Sequence, residues 1–152
     1  MAKKTEFQER LKRYTDLLQE IRIAERRRNA MPINGDLIQR RALAGVCDDL
    51  RALLEKEAAE YESLIKIIDK LQRVDERQVL MARYMDGQPW QIIAAALFDD
   101  FIENEDKQQN YLRRVFRLHG SALTHANKIM LKTLLRPPKL VRWPFLFYVK
   151  AK

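Results

Sequence analysis

Apolar residues recur at intervals of three and four positions along most of this chain, and this spacing limits the fold more than any other feature. Over residues 5–28 the repeat passes through Phe7, Leu11, Tyr14, Leu18 and Ile21. Such spacing gives a helix one apolar seam, and here charges of both signs surround it. Only four Gly and five Pro occur among the 152 residues, so long uninterrupted helices are allowed. We therefore expect an all-α fold.

A second helix is predicted after the segment NAMPINGD, residues 29–36. The residue before Pro32 disfavours helix, and Asn34-Gly35 is typical of a turn. The second helix is expected from about Asp36 to about Gln72. Its seam is predicted to pass first through Leu43, Val46, Leu50 and Leu53, and then through Leu54, Ala58, Tyr61, Ile65 and Ile68. Two such helices joined by a short loop predict an antiparallel helical hairpin over residues 1–72. The seam of this hairpin is expected to pack as ordinary core. The alternative is that it also forms a homodimer interface.

The segment VDERQVLMARYMDGQPWQIIAAALF, residues 74–98, predicts two short helices joined by a tight turn. Asp75, with Gln78 three residues later, resembles a capping box at the start of helix 76–85. Asp86-Gly87 ends that helix, and Pro89 suits the first position of helix 89–98. An apolar stripe on the second helix is formed by Trp90, Ile93, Ala94 and Leu97.

Five acidic residues then lie between Asp99 and Asp106. Asn104 is expected to cap the last long helix, which should end at Leu135 before Arg136-Pro137-Pro138. Residues 73–135 are thus predicted as one helical unit, followed by a basic aromatic tail at 136–152. The four aromatic residues of that tail could stack on nucleic acid, dock on a partner or insert at a membrane interface. We favour a tail that either folds back onto the helical core or forms an ordered crystal or dimer contact.

Positive charge is segregated into the last third of the chain. Residues 107–152 contain eleven Lys and Arg and no Asp or Glu, whereas the first 106 residues contain 18 basic and 21 acidic residues. Solubility alone does not require this segregation. It indicates a polyanionic partner, either nucleic acid or an anionic membrane surface.

Winding residues 111–134 as a helix separates an apolar side from a basic side. The apolar side contains Tyr111, Val115, Leu118, Ala122, Ala126 and Ile129. The basic side contains Arg113, Arg114, Arg117, Ser121, Thr124, Lys128 and Lys132. A solvated face usually mixes charge signs, because pairs at i,i+4 stabilise a helix. The absence of acids from this stretch of sequence therefore favours a nucleic-acid surface over a membrane-surface helix or a merely solvated face.

The order of the elements supports the same interpretation. Two short helices and a longer basic helix form a helix-turn-helix arrangement, in which the last helix enters the major groove. Arg suits the paired acceptors of guanine, and Asn or Gln suits adenine. The candidate base contacts are Gln108, Gln109, Asn110, Arg113, Arg114 and Arg117. Further along the same face are Ser121, Lys128 and Lys132, of which the two lysines are expected to contact phosphate.

The segments DERQVLMARYMDGQPWQIIAAAL and YLRRVFRLHGSAL carry a resemblance to a known family. The first resembles sigma-factor region 4, in which a helix ending in RY-x-x-G precedes a W/Y-x-x-IA-x-x-L helix. With the hairpin ahead of it, the chain resembles phage and prophage regulators of the ArpU/RinA kind. The match covers about residues 75–130, at Arg83, Tyr84, Gly87, Trp90, Ile93, Ala94, Leu97, Val115, Arg117, His119, Ala122 and Leu123. The resemblance implies a role in late-gene transcription, with the apolar positions holding the unit together and Arg117 facing DNA.

The connection between Leu97 and Tyr111 departs from this pattern. It is longer than the turn of an ordinary helix-turn-helix, and it is acidic. Because its carboxylates would repel phosphate, the connection must fold away, contact a protein partner or act as an autoinhibitor.

No residue pattern indicates an enzyme or a cofactor. His119 and His125 lie six residues apart on different helix faces, and with the single Cys47 they do not make a metal site. His119 is instead expected at the edge of the core beside Tyr111 and Val115. Ser121 lacks a Gly-flanked elbow, and no Gly-rich loop could cradle a phosphate.

The sequence therefore predicts a sequence-specific, DNA-binding phage transcription regulator that acts on double-stranded DNA with RNA polymerase. A phage packaging protein like a terminase small subunit, or another structural DNA-binding protein, is the alternative. A further alternative is a helical protein-interaction adaptor. No stretch is long and apolar enough to span a membrane, and a lone cysteine fits the reducing cytoplasm of a bacterial host.

Overall fold

The computed structural model describes residues 4–135, and this part of the chain is all-helical. Five α-helices follow one another: α1 (Glu6–Ala30), α2 (Leu37–Ile68), α3 (Val74–Leu80), α4 (Trp90–Leu97) and α5 (Gln108–Leu135). A π-helical turn, Met81–Met85, extends α3, and a 3-10 turn, Glu105–Lys107, precedes α5. The all-α prediction is confirmed. The basic aromatic tail predicted at 136–152 lies outside the described residues.

Helices α1 and α2 form the predicted antiparallel hairpin. The start of α1 contacts the end of α2 through Phe7 and Ile68, whereas Ile21 of α1 packs against Leu50 near the middle of α2. Both helix starts are capped by side chains. Thr5 accepts a hydrogen bond from the backbone N–H of Gln8, and Asp36 forms a reciprocal capping box with Gln39.

The predicted second half of the α2 seam is confirmed at Ile68, which is buried, but its first three positions are one residue out of register. Leu54, Ala58 and Tyr61 are exposed, and the side chains facing α1 are instead those of Leu53, Glu57, Glu60 and Leu64. The two glutamates can lie in the α1–α2 interface because side chains of α1 form a hydrogen bond and an ion pair with them. Tyr14 donates to Glu57 over 2.6 Å, and Arg10 lies 3.4 Å from Glu60.

In α1, Leu17 is buried and the predicted seam residue Leu18 is only partly buried.

Helix α3 begins differently from the prediction. Its N-cap is Arg73, and no side chain caps it. The carboxylate of Asp75 does not form the expected capping box with Gln78. It contacts the Arg73 guanidinium at 2.8 Å instead. The turn after the π-helical segment requires Gly87, whose φ of 64° lies in the left-handed region.

The start of α4 is displaced by one residue from the prediction. Pro89 is the N-cap rather than the first helical residue. The predicted apolar stripe is confirmed, since Ile93 and Ala94 are buried and Trp90 and Leu97 pack beside them.

Three apolar clusters hold the described chain together. The first combines α1, α2 and α3 with the second half of α5, and the second combines α3, α4, Phe101 and the first half of α5. The third is confined to α1 and α2. The backbone N–H of Phe7 also donates to Asn127 of α5, 120 positions away. The boundary that we placed between residues 72 and 73 therefore crosses the first cluster, and the hairpin and the later helices share one core.

The acidic connection folds against α5. Phe101 is buried in the second cluster, and Asp100 accepts a 2.6 Å hydrogen bond from the Tyr111 hydroxyl. Asn104 makes no side-chain cap, so the long helix begins at Gln108, after the 3-10 turn. Of the five acids only Asp100 is held against α5 in this way, because Asp99, Glu103, Glu105 and Asp106 are exposed. The three outcomes that we considered for the acidic charge therefore stay predictions.

Candidate nucleic-acid interface

Helix α5 buries one side and exposes the other. Val115, Ala122, Leu123, Ala126 and Met130 are buried against the other helices. The opposite side is exposed at Gln109, Asn110, Arg113, Arg114, Arg117, Gly120, Thr124, Lys128 and Lys132. We call Arg113, Arg117, Lys128 and Lys132 the basic face. The helical periodicity of the sequence therefore predicted this side correctly, apart from Ser121.

The basic face carries uncompensated charge. Among residues 4–135, no carboxylate lies within 4.0 Å of the side-chain nitrogens of Arg113, Arg117, Lys128 or Lys132. Arg114 differs, because its guanidinium carbon lies 4.7 Å from the centre of the Phe98 ring. This cation–π contact holds Arg114 toward the connection between α4 and α5. Arg113 and Arg117 are thus the arginines of this helix most available to a ligand.

The three polar residues at the start of α5 are not equivalent. The side-chain amide of Gln108 donates to the carbonyl of Phe101 over 3.0 Å and is half-buried. Gln109 and Asn110 are exposed and make no side-chain hydrogen bond in the described part of the chain. Gln108 therefore fixes the acidic connection, while Gln109 and Asn110 extend the exposed face toward the N-terminus of α5.

Ser121 does not share the exposed face, contrary to the prediction. Its hydroxyl donates over 2.8 Å to Glu76, a carboxylate of α3 that is only 1% exposed. The Nδ1 atom of His125 lies 3.0 Å from both carboxylate oxygens of the same glutamate. A buried carboxylate is costly unless it is hydrogen-bonded, so Ser121 is drawn inward. One signal in the sequence could have shown this: Glu76 occupies the same helical stripe as Val79 and Leu80.

Aromatic side chains form the contact between α4 and α5. The hydroxyl of Tyr84 and Nε2 of His119 are 2.8 Å apart, and the ring of Trp90 meets that of His119 edge-on at 4.9 Å. Burial, and secondarily the nearby Arg83 guanidinium, lowers the pKa of His119 below its usual value. The predicted neighbour Tyr111 lies elsewhere, with its ring stacked on Phe98 at 4.5 Å.

No group of three or more His, Cys, Asp or Glu within residues 4–135 is arranged to hold a metal ion. No helix in the same range is long and apolar enough to cross a membrane. The family models, the curated proteins and the solved structures contain no match to this chain.

Proposed function

We propose that this protein is a sequence-specific, DNA-binding transcription regulator of phage origin that acts with RNA polymerase. The observation that carries the proposal is the basic face of α5. Four cations lie exposed along one helix, and within the described chain no carboxylate neutralises them. Stabilising the fold does not require such a face, whereas binding the phosphates of duplex DNA does.

Because α5 is long, different parts of the helix would contact the bases and the phosphates of a bound duplex. Twenty-eight residues make a helix of about 42 Å, which is far longer than the ~12 Å width of the major groove. Only the first turns can therefore lie deep in the groove. We assign base contacts to Gln109, Asn110, Arg113 and Arg117, and phosphate contacts to Lys128 and Lys132.

The helices in front of α5 supply the support that such a docking needs. Helix α3 with its π-helical turn, the turn at Gly87, and α4 precede α5 in the order of a helix-turn-helix. The contacts of Trp90 and Tyr84 with His119 hold α4 and α3 against α5 at fixed points. The resemblance to sigma-factor region 4 and to ArpU/RinA regulators supports a partner role for RNA polymerase, and a phage or prophage source.

The first experiment compares two double variants that remove equal charge. Arg113→Ala with Arg117→Ala alters the basic face, and Arg22→Ala with Arg26→Ala removes two exposed arginines with the same spacing on α1. Because Ala favours helix, both variants should keep their helical content. A well-placed Arg–guanine contact contributes about 1–3 kcal/mol. The α5 variant should therefore lose about 30-fold or more in affinity for its native duplex, and the α1 variant should lose little.

Duplexes from the neighbouring phage genome and a random duplex serve as ligands. Equal affinity of the α5 and α1 variants would overturn the assignment of α5 as the DNA-contacting helix. Binding without any sequence preference, by a protein that forms rings in light scattering, would instead support the packaging alternative.

A further inference from the structure

A second basic feature lies beside the basic face, between α5 and the connection that joins α2 to α3. It is a cavity of about 320 Å³. Its lining includes five basic side chains, from two parts of the chain that are far apart in sequence: Lys70, Arg73, His125, Lys128 and Lys132. The net charge of the first 106 residues is negative, so the sequence alone gave no reason to join Lys70 and Arg73 to the cations of α5.

Most of this charge is available to a ligand. Lys70, Lys128 and Lys132 are exposed, and among residues 4–135 no carboxylate lies within ion-pair distance of them. Arg73 is exposed and contacts Asp75 at 2.8 Å. Within the described part of the chain, the one acid that lines the cavity is Glu76, whose carboxylate is buried and bound by Ser121 and His125.

Glu76 also orients the histidine. Because both carboxylate oxygens lie 3.0 Å from Nδ1, the proton on that nitrogen points toward Glu76. The Nε2 atom is on the other side of the ring, and half of the His125 side chain is exposed. Two basic groups of the cavity, Arg73 and His125, are thus held in place by contacts with carboxylates.

We infer that this cavity binds a phosphodiester group of the DNA backbone, next to the base pairs contacted by the first turns of α5. The inference rests on the proposed function. Lys128 follows Arg117 by eleven residues, which places it within about 20° on the same helix face and about 16 Å further along the axis. Since α5 is longer than the groove is wide, its second half must cross the sugar-phosphate backbone. Lys70 and Arg73 then approach that strand from the α3 side.

The test uses a variant that removes charge from the cavity and leaves the base contacts intact. Lys70→Gln with Lys128→Gln removes two exposed lysines of the cavity, one from each wall. Lys12→Gln with Lys56→Gln removes two exposed lysines of the hairpin and is the matched control. Each phosphate contact contributes about 0.9 to the slope of log affinity against log salt. The cavity variant should lower that slope by about 1.8, weaken binding to native and random duplexes by the same factor, and keep the preference between them.

Two results would overturn the site and leave the base contacts assigned to Arg113 and Arg117 in place: a slope equal to that of the hairpin control, or a loss of sequence preference in the cavity variant. The first result would also remove the phosphate contact assigned to Lys128. Absence of salt-dependent binding in the unmodified protein would instead overturn the proposed function itself.

The ring resonances of His125 provide a second readout and identify the source of the phosphate. A shift of these resonances on adding duplex supports the site, whether or not inorganic phosphate also shifts them. Resonances that shift with inorganic phosphate but not with duplex would mean that the cavity binds a free anion, and would overturn the inference.

Discussion

Glu76 shows how one residue can determine a contact between two helices. Its carboxylate is buried at the α3–α5 interface and is held by Ser121 and His125. Burying a charge without partners is costly, so the buried carboxylate of Glu76 depends on the hydrogen bonds of both side chains.

Replacing this carboxylate should measure that dependence. We expect Glu76→Ala to lower the free energy of unfolding by about 2–3 kcal/mol, because the variant leaves a cavity and removes the acceptor of two hydrogen bonds. Glu76→Gln keeps an acceptor oxygen of similar shape and should cost roughly 1 kcal/mol. Denaturant unfolding of both variants provides the comparison. An alanine variant as stable as the glutamine variant would show that the contact contributes nothing specific.

His119 should make stability depend on pH. Its pKa is lowered in the folded protein by burial and then by Arg83, so the unfolded chain takes up the proton more readily. The stability that neutral His119 contributes is complete above the unfolded pKa of about 6.5, and is lost as pH falls from there toward the folded pKa. His119→Gln should therefore flatten the curve of unfolding free energy against pH just below 6.5. An unchanged curve would refute this assignment.

Helices α2 and α5 each contain a glycine that the packing of the helix does not require. An added Cβ at Gly45 or Gly120 meets no atom within 4 Å, and both residues lie on exposed faces. Glycine within a helix costs about 0.5–1 kcal/mol relative to alanine. Gly45→Ala and Gly120→Ala should each raise the free energy of unfolding by that amount in denaturant titrations. Destabilisation at Gly120 alone would mean that the start and end of α5 are not one continuous helix.

The helices also show how much of the fold the sequence could predict. The apolar repeat predicted α1, α2, α4 and α5 to within a few residues, because burial of one helix side follows directly from a period of 3.6. The repeat failed in the second half of α2, where Glu57 and Glu60 face α1. Their partners Tyr14 and Arg10 are more than 40 residues away, and a local pattern contains no information about them.

The same limit applied to the candidate site. The exposure of Arg113, Arg117, Lys128 and Lys132 follows from helical geometry alone, and it was predicted. The inward position of Ser121 depends on Glu76, 45 residues earlier. The bond of Gln108 to Phe101 depends on how the acidic connection folds, which no repeat describes.

For the whole molecule, the main feature is the core shared by the hairpin and α5. Phe7, Leu64 and Ile68 pack in the same cluster as Leu80, Ala122 and Met130. Removing either region would expose the apolar surface of the other, so residues 4–135 should unfold as one cooperative unit.

A substitution in α1 should therefore be detected at α4. In a Trp143→Phe background, Trp90 is the remaining tryptophan and lies in the second cluster. Phe7 is fully buried, and Phe7→Ala should cost about 3–5 kcal/mol. The unfolding transition reported by Trp90 fluorescence should shift together with the helical signal in circular dichroism. A Trp90 transition that does not move would contradict a shared core and favour two independent units.

A salt series on duplex binding tests whether the basic face of α5 binds a specific DNA sequence, as we propose. The measurement compares the unmodified protein with Arg113→Ala plus Arg117→Ala, on one native phage duplex and one random duplex. We expect a steep salt slope, tighter binding to the native duplex, and loss of that preference in the variant. Weak binding that responds neither to salt nor to the two arginines would overturn the proposal.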